Sequence, residues 1–159
     1  MGKIGILQKI KMPKKNTAIK WMILILLIIV VVAAALYMFK GEDNVEFRIL
    51  GEKEIPAQIT SQVIPEYRQL ERALACVVDD KVYVMASRGE KPTSGYEIQI
   101  EKMKLSDKNG VNLLTVYTQF KDPQPGTALT QALTYPIQIA ETDLTALPDQ
   151  IELKVQYVE

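Results

Sequence analysis

Ala75-Cys76-Val77-Val78-Asp79-Asp80-Lys81-Val82-Tyr83-Val84-Met85-Ala86-Ser87 places two apolar, Val-rich runs on either side of two aspartates. Asp tolerates the left-handed backbone of a tight turn, so the stretch predicts a β-hairpin with Asp79-Asp80 at its tip. Paired carboxylates can also hold a hard cation. A calcium loop needs further oxygen ligands at defined spacing, however, and none follow here, so no metal ligand is assigned.

Working outward, Tyr96, Ile98 and Ile100 alternate with Glu97, Gln99 and Glu101, while Leu114, Val116 and Phe120 share one face. Ile151, Leu153, Val155 and Tyr157 alternate with polar residues, Tyr135, Ile137 and Ile139 form another run, and Val45, Phe47 and Ile49 alternate with Glu46 and Arg48. Period two is the signature of strands with one buried face. Ser106–Gly110 reads as a hairpin loop and Lys121–Thr127, with Pro123 and Pro125, as a longer turn. One helix is expected over Ile64–Ala73, with Pro65 in its first turn and Tyr67, Leu70 and Leu74 at helical spacing. Alternating helices, which a parallel sheet requires, are missing from the pattern. The expected class is therefore all-β, an antiparallel β-sandwich or curved sheet with one short helix.

Ahead of this domain, Trp21–Phe39 is a run of uncharged residues that is apolar on every helical face and long enough to cross a bilayer. Lys3, Lys9, Lys11, Lys14, Lys15 and Lys20 precede or flank it without a single acid, while Glu42, Asp43 and Glu46 follow it. Positive flanks stay in the cytoplasm. The expected organisation is a basic cytoplasmic tail (1–17), a transmembrane helix embedded in the lipid bilayer (18–39), a linker (40–44) and an extracytoplasmic β domain (45–159). Trp21 and Tyr37 fall near the two ends, where amphipathic rings favour the headgroup layer. A cleaved signal peptide would use Ala33-Ala34-Ala35. The apolar run continues through Leu36, Met38 and Phe39, which favours an uncleaved anchor in the cell membrane.

Charge and residue usage exclude several functions. The chain carries 19 Lys or Arg and 19 Asp or Glu, but from Gly41 onward 12 cations face all 19 acids. Such a domain lacks the clustered cations that release counterions from a phosphate backbone, so nucleic acid is not expected as a partner. The sequence contains no histidine and one cysteine, Cys76. That removes Ser-His-Asp and Cys-His catalysis, and no spacing of carboxylates recommends an acid/base pair; neither catalytic residues nor a cofactor are assigned.

The string Gly89-Glu90-Lys91-Pro92-Thr93-Ser94-Gly95-Tyr96 is similar to the Gly-x-Lys-Pro-Thr-Gly-Gly-Tyr signature of the PrcB C-terminal domain family, with Ser94 in place of a glycine. Asp122-Pro123-Gln124-Pro125-Gly126 and Thr130-Gln131-Ala132-Leu133-Thr134-Tyr135-Pro136 resemble that family's Pro-rich loop and Leu-Thr-Tyr-Pro segment, in the same order. The resemblance implies a protein-interaction module of a secreted or surface protease complex rather than an enzyme. Pro92–Tyr96 also looks like the Pro-Thr-Thr-Gly-Tyr loop of chagasin-type protease inhibitors, which supplies an alternative function. A structural or ligand-binding role in the cell envelope is a further one.

Read without a family, Lys91–Gly95 is a compact turn that either connects two strands or presents Tyr96 to a partner. Tyr135 reads as a core residue of its strand and Pro136 as a strand start. The candidate contact surface is accordingly Lys91, Pro92, Thr93, Ser94, Gly95, Tyr96, Pro123, Pro125, Gly126, Tyr135 and Pro136.

Overall fold

A computed structural model describes residues 15–38 and 42–159, which fall into two compact units, Met1–Gly41 and Glu42–Glu159. Lys3, Lys9, Lys11 and Lys14 of the expected basic tail, Phe39 at the end of the expected transmembrane helix and residues 40–41 of the expected linker lie outside the described residues.

In the first unit, α1 runs from Lys15 to Met38, 24 residues or roughly 36 Å at 1.5 Å per residue. Its large apolar side chains from Ile19 to Val32 are all exposed, on every face. Among the described residues no helix is long and apolar enough to cross a membrane.

The second unit is mostly β, as expected. Its strands are β1 (Asp43–Val45), β2 (Phe47–Ile49), β3 (Glu71–Val78), β4 (Lys81–Arg88), β5 (Glu97–Lys108), β6 (Val111–Lys121), β7 (Ile137–Thr142) and β8 (Gln150–Val158). They form two four-stranded sheets in the orders β1-β5-β6-β8 and β2-β7-β4-β3. Val84, Ala86, Ile98, Ile100, Met103, Leu114, Val116 and Phe120 fill the space between them.

The hairpin reading holds in detail. Asp79 and Asp80 both take left-handed backbone, φ 49° and 59°, which matches the twist of the flanking strands β3 and β4. The apolar run Val82–Ala86 is buried on both faces. On the far side from the sandwich core, Tyr83 and Met85 pack with Ile59, and with Ile55, Val63, Ile64 and Tyr67. A short helix thus makes a third layer.

That helix sits earlier than the sequence pattern predicts. It comprises a π-helical turn, Ile59–Val63, running into α2, Ile64–Tyr67, and Glu71 already begins β3. Pro65 lacks an N–H and its ring crowds the carbonyl four residues back, so the wider π turn accommodates it where an α turn would not. Tyr67 and Leu74 do share a buried cluster, but one belongs to the helix and the other to β3; Leu70 between them is 51% exposed.

Three further expectations are corrected. Val45, Phe47 and Ile49 do not share one strand, because the chain changes sheets at Glu46, whose carbonyl accepts the Asp143 N–H (3.0 Å). Val45 is accordingly buried while Ile49 is 37% exposed. The Ser106–Gly110 loop contracts to Asn109-Gly110, both with positive φ, and Ser106 is a buried strand residue. The sandwich is not wholly antiparallel, since β8 pairs parallel with β6 from Leu113↔Gln150 to Lys121↔Val158. The chain reaches β8 from β7 in the opposite sheet, so crossing between sheets supplies the parallel return without a helix.

Candidate interaction surface

Two segments far apart in sequence meet beyond the ends of β4 and β6. Lys91 and Thr134 exchange backbone hydrogen bonds, both 2.9 Å, as an isolated antiparallel bridge. The Thr134 hydroxyl donates to the Thr93 carbonyl (2.7 Å) and the Ser94 N–H donates to the Thr130 carbonyl (3.1 Å). Thr130 N–H in turn donates to Ser94 Oγ (2.9 Å). Ser94 therefore has work a glycine could not do there, and it is absent from the residues with positive φ, so it carries no backbone strain.

Gly95 is the constrained position. Its φ is +89°, and a Cβ would come within 2.9 Å of both Leu129 Cδ2 and Pro123 Cβ. Close approach of the two loops thus depends on the missing side chain. Gln124-Pro125-Gly126-Thr127 closes its own turn through Thr127 N–H to the Gln124 carbonyl (3.2 Å), with Pro and Gly at the positions a type II turn favours.

Tyr135 is not a core strand residue, because β7 starts only at Ile137. Its hydroxyl donates to Glu90 (2.8 Å) and its ring lies 4.4 Å from the Arg68 guanidinium carbon. Donation to that carboxylate, followed by burial, raises the Tyr135 pKa above the ordinary phenol value. Pro136 stands just before β7, and its carbonyl accepts the Arg88 N–H (2.9 Å).

Arg88 is the residue that sequence reasoning missed. It ends the buried run of β4 and is itself only 2% exposed. Its Nη1 donates to the carbonyls of Glu97 (3.2 Å) and Lys121 (2.6 Å), and Nη2 pairs with Asp122. The guanidinium carbon lies 4.8 Å from the Phe120 ring centre and 5.0 Å from that of Tyr96. One side chain thereby fixes the root of both loops, since Glu97 opens β5 and Lys121 closes β6. Tyr96, offered by the sequence as a contact residue, is half-buried against this cation. The one available signal was a charge terminating a continuous apolar strand, where a buried Arg requires acceptors.

Of the sequence-predicted surface, Pro92, Gly95, Pro125 and Gly126 are exposed, while Lys91, Thr93, Ser94, Tyr96, Pro123, Tyr135 and Pro136 are partly covered. Shallow grooves flank the joined loops. One, about 610 Å³, runs between Tyr96–Gln99 and Pro136–Gln138; the other, about 590 Å³, lies between Asp122–Pro125 and Tyr157–Glu159. Tyr157 is 64% exposed and packs edge-on to Phe120. Among the described residues no group of three or more His, Cys, Asp or Glu is placed to hold a metal.

Residues 82–143 match the family model described as PrcB C-terminal. The matched PrcB C-terminal stretch begins in β4, contains Arg88 and both loops, and ends just after β7. It therefore spans the two blocks of motif residues together with the strands that carry them, leaving β1, β2, β3 and β8 outside. No curated protein and no solved structure matches the chain.

Proposed function

We propose that this chain is a membrane-anchored, extracytoplasmic interaction module that associates with a secreted or surface protease complex and acts by contact, without chemistry of its own. The observation that carries this reading is the pair of motif loops, 91–96 and 122–134, locked into one surface by the Lys91–Thr134 bridge and the Arg88 brace. A rigid surface loses little conformational freedom on binding, which favours recognition of a folded partner. The match to the PrcB C-terminal family supports a protease complex as the setting. The same bracing weighs against an inhibitor loop that must stand clear of its scaffold to enter a cleft. Anchoring is supported by α1, whose large apolar side chains from Ile19 to Val32 are exposed all round, a surface that lipid accommodates and water does not. The lysine-rich flank supports an orientation with the N-terminus in the cytoplasm and the β unit outside.

The test is recovery of partners from native membranes with the full chain carrying Gln124→Arg and Leu133→Asp. Gln124 is exposed and Leu133 is 59% exposed, so both changes alter the loop surface without touching the core. Loss of protease-complex subunits from the recovered material, at unchanged melting temperature, is expected. Undiminished recovery would remove this surface from the proposal. Protease shaving of intact cells should release a C-terminal epitope; its protection would reverse the orientation.

A further inference from the structure

A sandwich of two open sheets has four edges, and unpaired edges invite pairing with other chains unless they are short or guarded. β1 and β2 are three residues each. The long edges are β3 and β8. β8 has nine residues, Gln150–Val158, with no proline or glycine, and its pairing with β6 runs without a register shift.

Its sequence is chemically palindromic. About Leu153, Glu152 mirrors Lys154, Ile151 mirrors Val155, and Gln150 mirrors Gln156. β3 has no such property: its charges, Glu71 and Arg72, lie at one end and would face Val78 and Val77 in an antiparallel self-pairing. The backbone of β8 suits the same axis. Lys154 C=O accepts Thr118 Oγ1 of β6 (3.2 Å), so it points toward β6, and strand alternation turns the N–H and C=O of Ile151, Leu153 and Val155 to the open edge. An open cleft of about 520 Å³ lies between Leu70–Ala73 of the neighbouring sheet and Ile151–Leu153. The inward-facing Ile151, Leu153 and Val155 are only partly buried.

We infer that β8 is a self-association edge, through which two copies of this chain join antiparallel about a twofold axis at Leu153. Glu152 then stands opposite Lys154 of the partner subunit, and Lys154 opposite the partner's Glu152, in place of the loose 3.9 Å contact the two make within one strand. The half-covered Ile151 and Val155 meet across the seam, and the two sheets become one. Charge complementarity is what singles out a second copy as the occupant. The inference goes beyond the protease-complex reading and uses a different part of the unit from the loops.

Sedimentation equilibrium of the full chain in detergent micelles tests it, with Glu152→Lys, Lys154→Glu and the double exchange. Both side chains are half exposed, so the fold tolerates the changes, and thermal unfolding verifies that. The wild type should dimerise, each single reversal should raise the dimer dissociation constant about tenfold or more by opposing like charges twice, and the double exchange should restore it. All variants share α1, so association through that helix is indifferent to these substitutions. A monomeric wild type, single reversals that leave the dimer unchanged, or a double exchange that fails to restore it would each overturn the inference.

Discussion

Replacing Arg88 by methionine removes the donors that hold two loop roots while keeping most of the apolar volume. The Glu97 and Lys121 carbonyls lose Nη1, and Asp122, whose side chain is 62% exposed, turns to water. Hydrogen bonds from a charged donor contribute roughly 1.5–3 kcal/mol each, and removing one partner of a buried charge contact costs roughly 3–5 kcal/mol. Arg88 Nε has no partner, which offsets part of this, and the exposed Asp122 adds at most about 1 kcal/mol. A net loss of about 3–5 kcal/mol is expected for Arg88→Met, or roughly 12–20 °C in melting temperature for a unit of this size. Asp122→Asn should cost under about 1 kcal/mol, since the carboxylate is the solvated member of the set. Urea and thermal unfolding of the full chain measure both, and amide exchange at 91–96 and 122–134 should accelerate in Arg88→Met. A loss below about 1 kcal/mol in Arg88→Met would refute the view that this side chain braces the loops.

Gly95→Ala should destabilise by about 2–3 kcal/mol, because it adds a clash with Leu129 and Pro123 to an unfavourable φ, whereas Gly126→Ala meets open space and should cost about 1 kcal/mol from backbone strain alone. Equal losses in unfolding experiments would show that the loops do not press together at Gly95. Glu141, held below the usual carboxylate range first by the Lys81 hydrogen bond, should contribute to acid sensitivity together with Glu42, paired to Lys104, and Glu54, capped first by the Gly51 N–H. Their folded pKa values lie below the unfolded ones, so the stabilisation is complete above the ordinary carboxylate value and lost as pH falls through the lowered ones. Urea midpoints should drop from about pH 5 to about pH 3, and less steeply in Glu141→Gln; identical slopes would show that the Lys81–Glu141 pair adds nothing.

What could be read from the chain alone tracks the range of the interaction responsible. The β3–β4 hairpin was legible because Asp79-Asp80 and the runs beside them decide it locally, and strands β5 to β8 because period two survives wherever one face is buried. The helix boundary was not, since Tyr67 and Leu74 are buried against the same sheet from different elements and only imitate a helical stripe. The change of sheet at Glu46 and the parallel entry of β8 were equally silent, being properties of the path between sheets rather than of any strand. Order and spacing identified the loop blocks as related to one family, but not that they touch, since the Lys91–Thr134 contact is made across 43 positions of sequence by backbone groups that every residue possesses.

Arg88 shows how a residue outside both loop segments can hold them in place. Sequence reading put Tyr96, Tyr135 and the prolines in the candidate surface because they belong to the motif segments, while Tyr135 by itself read as a core residue of its strand. In the folded unit the Tyr96 ring lies against the buried guanidinium, and Tyr135 sits against Arg68 with its hydroxyl donating to Glu90, so both rings have cationic neighbours within the protein. The exposed part of the two loops includes the uncharged Pro92, Gln124, Pro125 and Leu133 together with one carboxylate, Asp122, beside the buried Arg88. A surface of this kind offers shape and one negative charge. Its shape is fixed from beneath, by one cation whose acceptors are the carbonyl ends of two different strands, so substitutions at Arg88 should disturb binding without Arg88 ever touching the partner.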